Sequence, residues 1–195
     1  MPNVSLCVTE NEVHYNPIVP PETRLVGKFN VTSTSSPTKI LNSTTAFTKV
    51  EVDGVEISPI ASGYTFDTLG EHEVKYTLAD ETTIRGGFGG CSSLTSVTIP
   101  NTVTNIGESA FVMCGLTSIT IPSGVTSIDS NAVSYNSRLS SITIYAITPP
   151  YLSGNNLNNT NDCPIYVPVE SVDAYKTANI WNSFYASRIQ AIPTT

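Results

Sequence analysis

Few residues in this 195-residue chain have the type and spacing that catalysis or metal binding requires. The two histidines, His14 and His72, are far apart, and neither lies in a nucleophile motif, so both are interpreted as surface or strand residues. The four cysteines lack the C-x-x-C spacing of a structural zinc site. They are Cys7, Cys91, Cys114 and Cys163. The sequence therefore predicts no metal site.

Motifs for other reactions are missing as well. The glycine cluster at residues 86–90 lacks the Gly-Lys-Ser/Thr ending of a phosphate-binding loop and is interpreted as a turn. Neither G-x-S-x-G nor H-E-x-x-H occurs. Any two of the 16 acidic residues could converge as a glycosidase pair, but no particular pair is indicated. We predict no catalytic residues and no cofactors, and therefore not an enzyme.

The chain is acidic and sparsely charged. Nine basic residues against 16 acidic ones give a net charge of −7, which leaves no basic stripe for phosphate groups. Nucleic acid is therefore not an expected partner. No apolar run approaches the length of a membrane-spanning helix, so membrane insertion is not expected either. Serine and threonine supply much of the polarity, which suits extended β structure and surface display.

The second half of the chain repeats a unit of 22 or 23 residues. Leu94, Leu116 and Leu139 are separated by 22 and 23 residues, and the Val-Thr-Ile or Ile-Thr-Ile triplets that follow repeat at the same offsets. This period is typical of leucine-rich repeats, in which each coil gives one short strand and a return segment. Proline ends the strand in the first two units. Such units must stack and be capped, because one unit buries too little apolar surface to stand alone.

These repeats resemble a known family. The BspA-like leucine-rich repeats are similar to FGGCSSLTSVTIPNTVTNIGESAF and CGLTSITIPSGVTSID in this chain, and the tail from Thr148 to Ile192 resembles their C-terminal cap. The resemblance spans about residues 70–192. The third unit departs from the pattern at Tyr145, where proline is expected. The resemblance implies a non-catalytic binding or adhesion protein of the kind found on gut and oral bacteria, in some protists and in phage-associated proteins.

The N-terminal half has a different pattern, in which strand-like runs alternate with turn residues. The Asp53-Gly54 pair predicts a tight hairpin between two of the runs. We interpret this half as a β-sandwich-like domain or a related β-sheet module, whose last strand continues into the first coil. The six predicted strands are Arg24–Thr32, Thr38–Leu41, Phe47–Val52, Val55–Ile57, Tyr64–Phe66 and Glu73–Leu78.

Both ends of the chain have features of their own. A short hairpin, Val4–Val8 with Glu12–Tyr15, is too small for its own core and is interpreted as an attachment arm, with a disordered leader as the alternative. Near the C-terminus, Ser171 is predicted to cap one short helix. Aromatic residues concentrated there are expected to pack the cap core rather than to form a saccharide platform. They are Tyr166, Tyr175, Trp181, Phe184 and Tyr185.

The predicted fold is mainly β. It consists of an N-terminal β-sandwich-like domain, a short leucine-rich-repeat β-solenoid and a C-terminal cap with one short helix. Cys91 and Cys114 lie about one coil apart, but their offsets from the repeat leucines differ, so buried free thiols are predicted rather than a disulfide. The predicted boundaries are an arm at 1–22, the sandwich-like domain at 23–69, the solenoid at 70–148 and the cap at 149–195.

The outward positions of the repeat strands carry hydroxyl groups. We expect them to align in two columns and form a flat face, which is either a docking surface for sugar or protein or a solvated face. Two tyrosines near the end of the array complete the candidate contact residues. These are Ser96, Thr98, Ser118, Thr120, Ser141, Thr143, Tyr145 and Tyr151.

The sequence favours a non-catalytic structural and adhesion module on a phage virion surface, such as a head or tail fibre or decoration protein. The first 22 residues lack the pattern of a signal peptide, which underlies the virion location. A bacterial cell-surface or extracellular adhesin is the first alternative, and an accessory domain of a carbohydrate-active enzyme is the second. Expected partners are a host surface glycan or protein and, through the arm, virion proteins. Homo-oligomerisation stays open, because no coiled-coil heptads specify it.

Overall fold

The computed structural model describes residues 8–9, 12–13, 24–154 and 156–193. It is mainly β, with 33% strand and 13% helix, which confirms the predicted class. Much of the predicted arm lies outside the described residues, as do Cys7 and His14. Among the described residues, no helix is long and apolar enough to cross a membrane.

In the described part of the N-terminal half there are eight short strands, and those from residue 24 onward agree with the predicted runs to within a few residues. They are β1 (Val8–Thr9), β2 (Glu12–Val13), β3 (Leu25–Val31), β4 (Thr38–Lys39), β5 (Phe47–Val52), β6 (Val55–Glu56), β7 (Gly63–Tyr64) and β8 (Gly70–Leu78). Seven more strands follow in the repeat region. They are β9 (Thr83–Ile84), β10 (Leu94–Thr98), β11 (Asn105–Ile106), β12 (Ser118–Ile121), β13 (Ser127–Ile128), β14 (Ser141–Ile144) and β15 (Tyr151–Leu152).

One five-stranded antiparallel sheet dominates the N-terminal half, in the order β10-β3-β8-β5-β6. The described strands show this sheet and the small β4–β7 pair, and they do not show a sandwich. Strand β10 of the repeat region completes the sheet by pairing with β3. The N-terminal strand that pairs with the repeat region is therefore β3. Strand β8, which comes last in the N-terminal half of the chain, lies inside the sheet and leads along the chain to β9.

The predicted hairpin at Asp53-Gly54 is confirmed. Val52 pairs with Val55, and the two residues between them have φ values of 48° and 84°. Positive φ at both central positions is typical of a type I′ turn, whose twist matches that of the flanking strands. Aspartate and glycine tolerate this backbone conformation, and therefore the sequence predicts the turn well.

The repeat region forms coils that stack in register. Strands β9, β11, β13 and β15 make one parallel sheet, and β12 and β14 begin a second one. Ile84, Ile106 and Ile128 pair across the first sheet and point inward. Proline follows β12 at position 122, and proline at position 100 follows shortly after β10, as predicted. A return segment then leads to the other sheet.

The cap contains two short helices where one was predicted. Its elements are β16 (Ile165–Val167), α1 (Val172–Thr177), α2 (Asn179–Tyr185) and β17 (Ile189–Ala191). Ala178 separates the helices because its backbone is extended, with ψ at 140°. The predicted N-cap role of Ser171 is wrong: this residue ends a 3₁₀ turn, has φ −102° and ψ −8°, and makes no capping hydrogen bond. An N-cap residue needs an extended backbone to aim its oxygen at the helix.

Cap aromatics anchor the cap to the last coil. The Tyr175 hydroxyl donates to the Ala146 carbonyl at 2.8 Å, and the Trp181 indole donates to the Pro150 carbonyl at 2.8 Å. Both side chains are buried, as is that of Tyr185. Their predicted role in the cap core is confirmed. Two of the five predicted core aromatics differ, since Tyr166 is half-buried and Phe184 is exposed.

Candidate binding surface

The repeat strands β10, β12 and β14 lie side by side with their hydroxyl residues facing outward. Ser118 pairs with Ser141 and Thr120 with Thr143 in parallel register, and inward isoleucines alternate with them. Strand β10, the edge of the N-terminal sheet, lies beside β12, and the amide of Thr117, just before β12, donates to the Thr95 carbonyl at 3.0 Å. Thr98, near the end of β10, lines the same groove as Thr120. The outward side chains therefore form aligned columns.

The outward face extends beyond the predicted residues on both sides. Thr143 pairs with Tyr166 of β16, which pairs with Gln190 of β17. On the opposite side, Ser96 lies opposite Lys28 of β3. The hydroxyl columns thus lie on two adjacent sheets, one that continues into the cap and one that belongs to the N-terminal half. Sequence patterns did not indicate these two continuations, because they depend on pairing with strands outside the repeats.

A second set of hydroxyl residues is used internally. Thr117 donates its hydroxyl to the Thr95 carbonyl at 3.3 Å, and Ser140 donates to the Thr117 carbonyl at 2.9 Å. Thr95 itself donates to the Lys28 carbonyl at 3.2 Å. We call these three residues, Thr95, Thr117 and Ser140, the internal ladder, since each hydroxyl bonds to the neighbouring strand. The sequence did not predict this ladder, because its members are serine and threonine, as are the residues of the outward face.

The six outward hydroxyl residues differ from the internal ladder. Within the described part of the chain, none of their side chains forms a hydrogen bond to another residue. Thr98, Ser118 and Thr120 are exposed, and the other members are half-buried. Their hydroxyl groups are available to a partner. The six residues are Ser96, Thr98, Ser118, Thr120, Ser141 and Thr143.

Tyr145 divides two grooves at the end of these strands. The larger groove, of about 600 Å³, also contains Thr98, Asn101, Thr120 and Ser123. The smaller one, of about 340 Å³, lies on the other side of Tyr145 and shares Ser123 with the first. Asn101 and Ser123 were not among the predicted contact residues, because they lie in loops outside the aligned strand positions.

Tyr145 replaces the proline of the first two coils and changes the local backbone. Its amide donates to the Ile121 carbonyl at 3.0 Å, a hydrogen bond that Pro100 and Pro122 cannot make. The side chain is 48% exposed. Tyr151, predicted in the same set, lies in the other sheet, where it pairs with Ser127 and lines a separate groove of about 250 Å³. Ligand contact by either tyrosine stays a prediction.

Comparison with known families follows the repeat geometry. A model of the BspA-type leucine-rich repeat region matches residues 81–170, in six copies. Residues 81–170 are a BspA-type leucine-rich repeat region. The match confirms the resemblance for this segment and covers strands β9 to β16. A search of curated proteins found no match. The BspA-type region suggests a repeat-based surface or adhesion module.

The cysteines of the BspA-type region are free and buried. Cys91 and Cys114 form no disulfide, in agreement with the prediction, and the Cys114 thiol lies 3.1 Å from the Phe88 carbonyl. Burial raises the pKa of the Cys91 thiol to about 12 and that of Cys114 further still. Both thiols are therefore protonated and unreactive at neutral pH.

The lysine–glutamate ion pairs lie on strands β3, β5, β6 and β8 of the N-terminal sheet. Lys28 forms an ion pair with Glu71 at 2.7 Å, and Lys49 forms one with Glu51 at 2.8 Å. Among the described residues, no group of three or more histidine, cysteine or acidic side chains could hold a metal ion. Apart from Lys28 opposite Ser96, the chemistry that the outward face offers is hydrogen bonding by neutral groups.

Proposed function

We propose that this protein is a non-catalytic adhesion module that holds a partner on the outward hydroxyl face of its repeat strands. The division of hydroxyl groups into two sets carries this proposal. The internal ladder is hydrogen-bonded to neighbouring backbone carbonyls, whereas the aligned outward hydroxyls form no side-chain hydrogen bond to another described residue. The BspA-type region supports the same role, since this family is typically non-catalytic.

Regular spacing suits the outward face to a repetitive partner. Neighbouring strands in a sheet lie about 4.8 Å apart, and alternate residues along a strand are separated by about 6.7 Å. The columns therefore present hydroxyl groups on a flat grid with fixed spacing. A polymer or a fibrous surface with its own repeat can contact several of these groups at once, and weak individual contacts then add up.

For its location, we propose the surface of a phage virion, with attachment through residues 1–22. The resemblance to a family that includes phage-associated proteins supports this location, and a bacterial cell surface is the alternative. Density-gradient separation of the source culture, followed by mass spectrometry, tests it. Peptides that band with intact particles are expected, and peptides found only in the cell envelope would favour the bacterial adhesin.

Adhesion is tested with fluorescently labelled protein and a panel of intact gut bacteria in flow cytometry. The triple variant Thr98→Lys, Thr120→Lys, Thr143→Lys should lose cell binding, because three long cationic side chains would cover the outward face. A charge-matched control places lysine at the exposed positions Ser137, Asn158 and Asn182. Equal loss of binding in both triple variants, or retention in the first, would contradict the proposal.

Absence of catalysis is tested separately. Purified protein is incubated with a panel of polysaccharides, and released reducing ends are measured. No release is expected. Release that disappears when one pair of carboxylates is replaced by amides would establish an enzyme and contradict the non-catalytic proposal.

A further inference from the structure

The trough formed by the two grooves on either side of Tyr145 has the properties of a carbohydrate site, and we propose that it binds a neutral polysaccharide chain. The inference rests on the proposed adhesion function and names its ligand class. It also moves the centre of binding from the flat hydroxyl face to the end of the strands, where Thr98, Thr120 and Tyr145 meet.

The trough has the size of a ligand site. Its two parts have volumes of about 600 and 340 Å³. Both volumes fall within the range of about 300–1,000 Å³ that is usual for ligand pockets. They share Ser123 and Tyr145 and therefore adjoin each other. An extended chain of sugar rings fits this shape better than a single compact molecule.

The uncharged lining of the trough disfavours charged ligands. Of the described residues that line the trough, none carries a formal charge. A phosphate or sulfate ligand requires arginine or lysine, and a cationic ligand requires a carboxylate. This chain places its lysine–glutamate pairs elsewhere, as at Lys28 and Glu71 on the N-terminal sheet. The trough therefore suits a ligand without charge.

The polar groups of the trough match a polyol. Thr98, Thr120 and Ser123 offer hydroxyl groups and Asn101 an amide, and the side chains of all four are exposed. Hydroxyl and amide groups both donate and accept, as the hydroxyl groups of a sugar do.

Tyr145 supplies the apolar component. Its ring is 48% exposed, and the neighbouring Ile147 is 63% exposed. Sugar rings present C–H groups on one face and hydroxyl groups at the rim, so an aromatic ring flanked by hydroxyl donors complements both. Proline at the equivalent positions of the first two coils offers a much smaller apolar face.

Affinity electrophoresis of the full chain in gels that contain one purified polysaccharide tests the proposal. Dextran, mannan and xylan are the neutral probes, and heparin and chitosan are the charged ones. We expect retardation by at least one neutral probe and none by the charged probes. Tyr145→Ala should weaken binding roughly tenfold, which is the scale of one aromatic contact. Tyr135→Ala is the matched control, since Tyr135 is 45% exposed and does not line the trough.

A second pair of variants separates ligand contact from folding. Thr120→Val removes an outward hydroxyl and should weaken binding, whereas Thr117→Val removes a hydroxyl of the internal ladder and should leave binding unchanged. Binding of charged probes alone, or undiminished binding by Tyr145→Ala, would overturn the proposal.

Failure of this proposal can be told apart from failure of the adhesion function. If no neutral probe binds while intact cells still bind through the outward face, the glycan assignment is wrong and the adhesion function stands. If neither cells nor polysaccharides bind, both are wrong.

Discussion

The rings of Phe88 and Phe111 are stacked, with their centroids 5.3 Å apart and an angle of 8° between their planes. Phe88 also contacts Phe47 and Tyr76 of the N-terminal sheet, at centroid distances of 5.2 and 4.9 Å. A column of aromatic rings thus connects the core of the sheet with the core of the coils. Because the two cores are continuous, we expect the two parts to unfold together rather than as independent domains.

Substitution of Phe88 tests the continuity. Phe88→Ala should lower the free energy of unfolding by about 3–5 kcal/mol, because the side chain is fully buried. Trp181 is the single tryptophan and lies in the cap, so its fluorescence reports on the end of the chain remote from the substitution. In urea denaturation, fluorescence and far-ultraviolet circular dichroism should show the same lowered midpoint. An unchanged tryptophan transition would mean that the cap unfolds on its own.

Two serines distinguish the internal ladder from the outward face. The Ser140 hydroxyl donates to the Thr117 carbonyl, whereas the Ser118 hydroxyl makes no hydrogen bond to a described residue. Ser140→Ala should therefore reduce the free energy of unfolding by about 0.5–1.5 kcal/mol, and Ser118→Ala should change it by less than about 0.5 kcal/mol. Urea denaturation measures both. Equal effects would show that the ladder does not stabilise the stack.

Stability should depend on the protonation of His72. Its Nδ1 lies 2.6 Å from an Asp53 carboxylate oxygen, and its Nε2 lies 3.0 Å from the Thr68 carbonyl. Both partners accept, so the arrangement favours the doubly protonated ring. The hydrogen bond with Asp53 raises the pKa of His72 above 6.5. The resulting stabilisation is complete below about pH 6.5 and is lost as the pH rises through the raised pKa.

Urea midpoints measured from mildly acidic to mildly alkaline pH test this dependence. Asp53→Asn should flatten the decline, because it removes the carboxylate, and asparagine tolerates the positive φ of the turn. His72→Gln should do the same. His14 is present in both variants, so its titration does not affect the comparison. A decline that persists in both variants would assign the effect to other groups.

The buried thiols should resist alkylation. With a pKa of about 12, only about one Cys91 thiol in ten thousand is ionised at pH 8. Iodoacetamide should label Cys91 and Cys114 slowly in the folded protein and rapidly in concentrated guanidinium, as peptide mass spectrometry would show. A Cys91–Cys114 disulfide peptide from unreduced protein would contradict the free thiols.

Local patterns predicted much of the repeat region. The offset between Leu116 and Leu139 fixes the pairing of Ser118 with Ser141, because stacked coils of similar length place equivalent residues side by side. The Asp53-Gly54 turn was equally predictable, since few residue pairs accept its backbone angles.

Long-range pairing was harder to predict. The position of β3 between β8 and β10 joins residues far apart in sequence, and nothing in the local pattern of Leu25–Val31 specifies those neighbours. The prediction of one helix capped by serine was wrong for a related reason. Tertiary contacts of Tyr175 and Trp181, rather than a capping serine, hold the two cap helices in place.

The candidate site was predicted only in part. Alternation along the strands identifies Thr120 as outward, but it does not show that Thr117 is bonded to the next coil. Residue type alone cannot separate the two roles. The trough at Tyr145 depends on loops whose conformation the repeat pattern leaves open, and for this reason Asn101 and Ser123 were missed.

The register of the coils has a consequence for how such a protein can change in evolution. Because Ser118 lies opposite Ser141 and Asn105 opposite Ser127, duplication of one 22-residue unit would insert a coil without disturbing either end. Each added coil would lengthen the hydroxyl grid by about 4.8 Å and add one row of contacts. The number of repeats therefore sets the length of the hydroxyl grid. A change in repeat number would change avidity without requiring a new binding site.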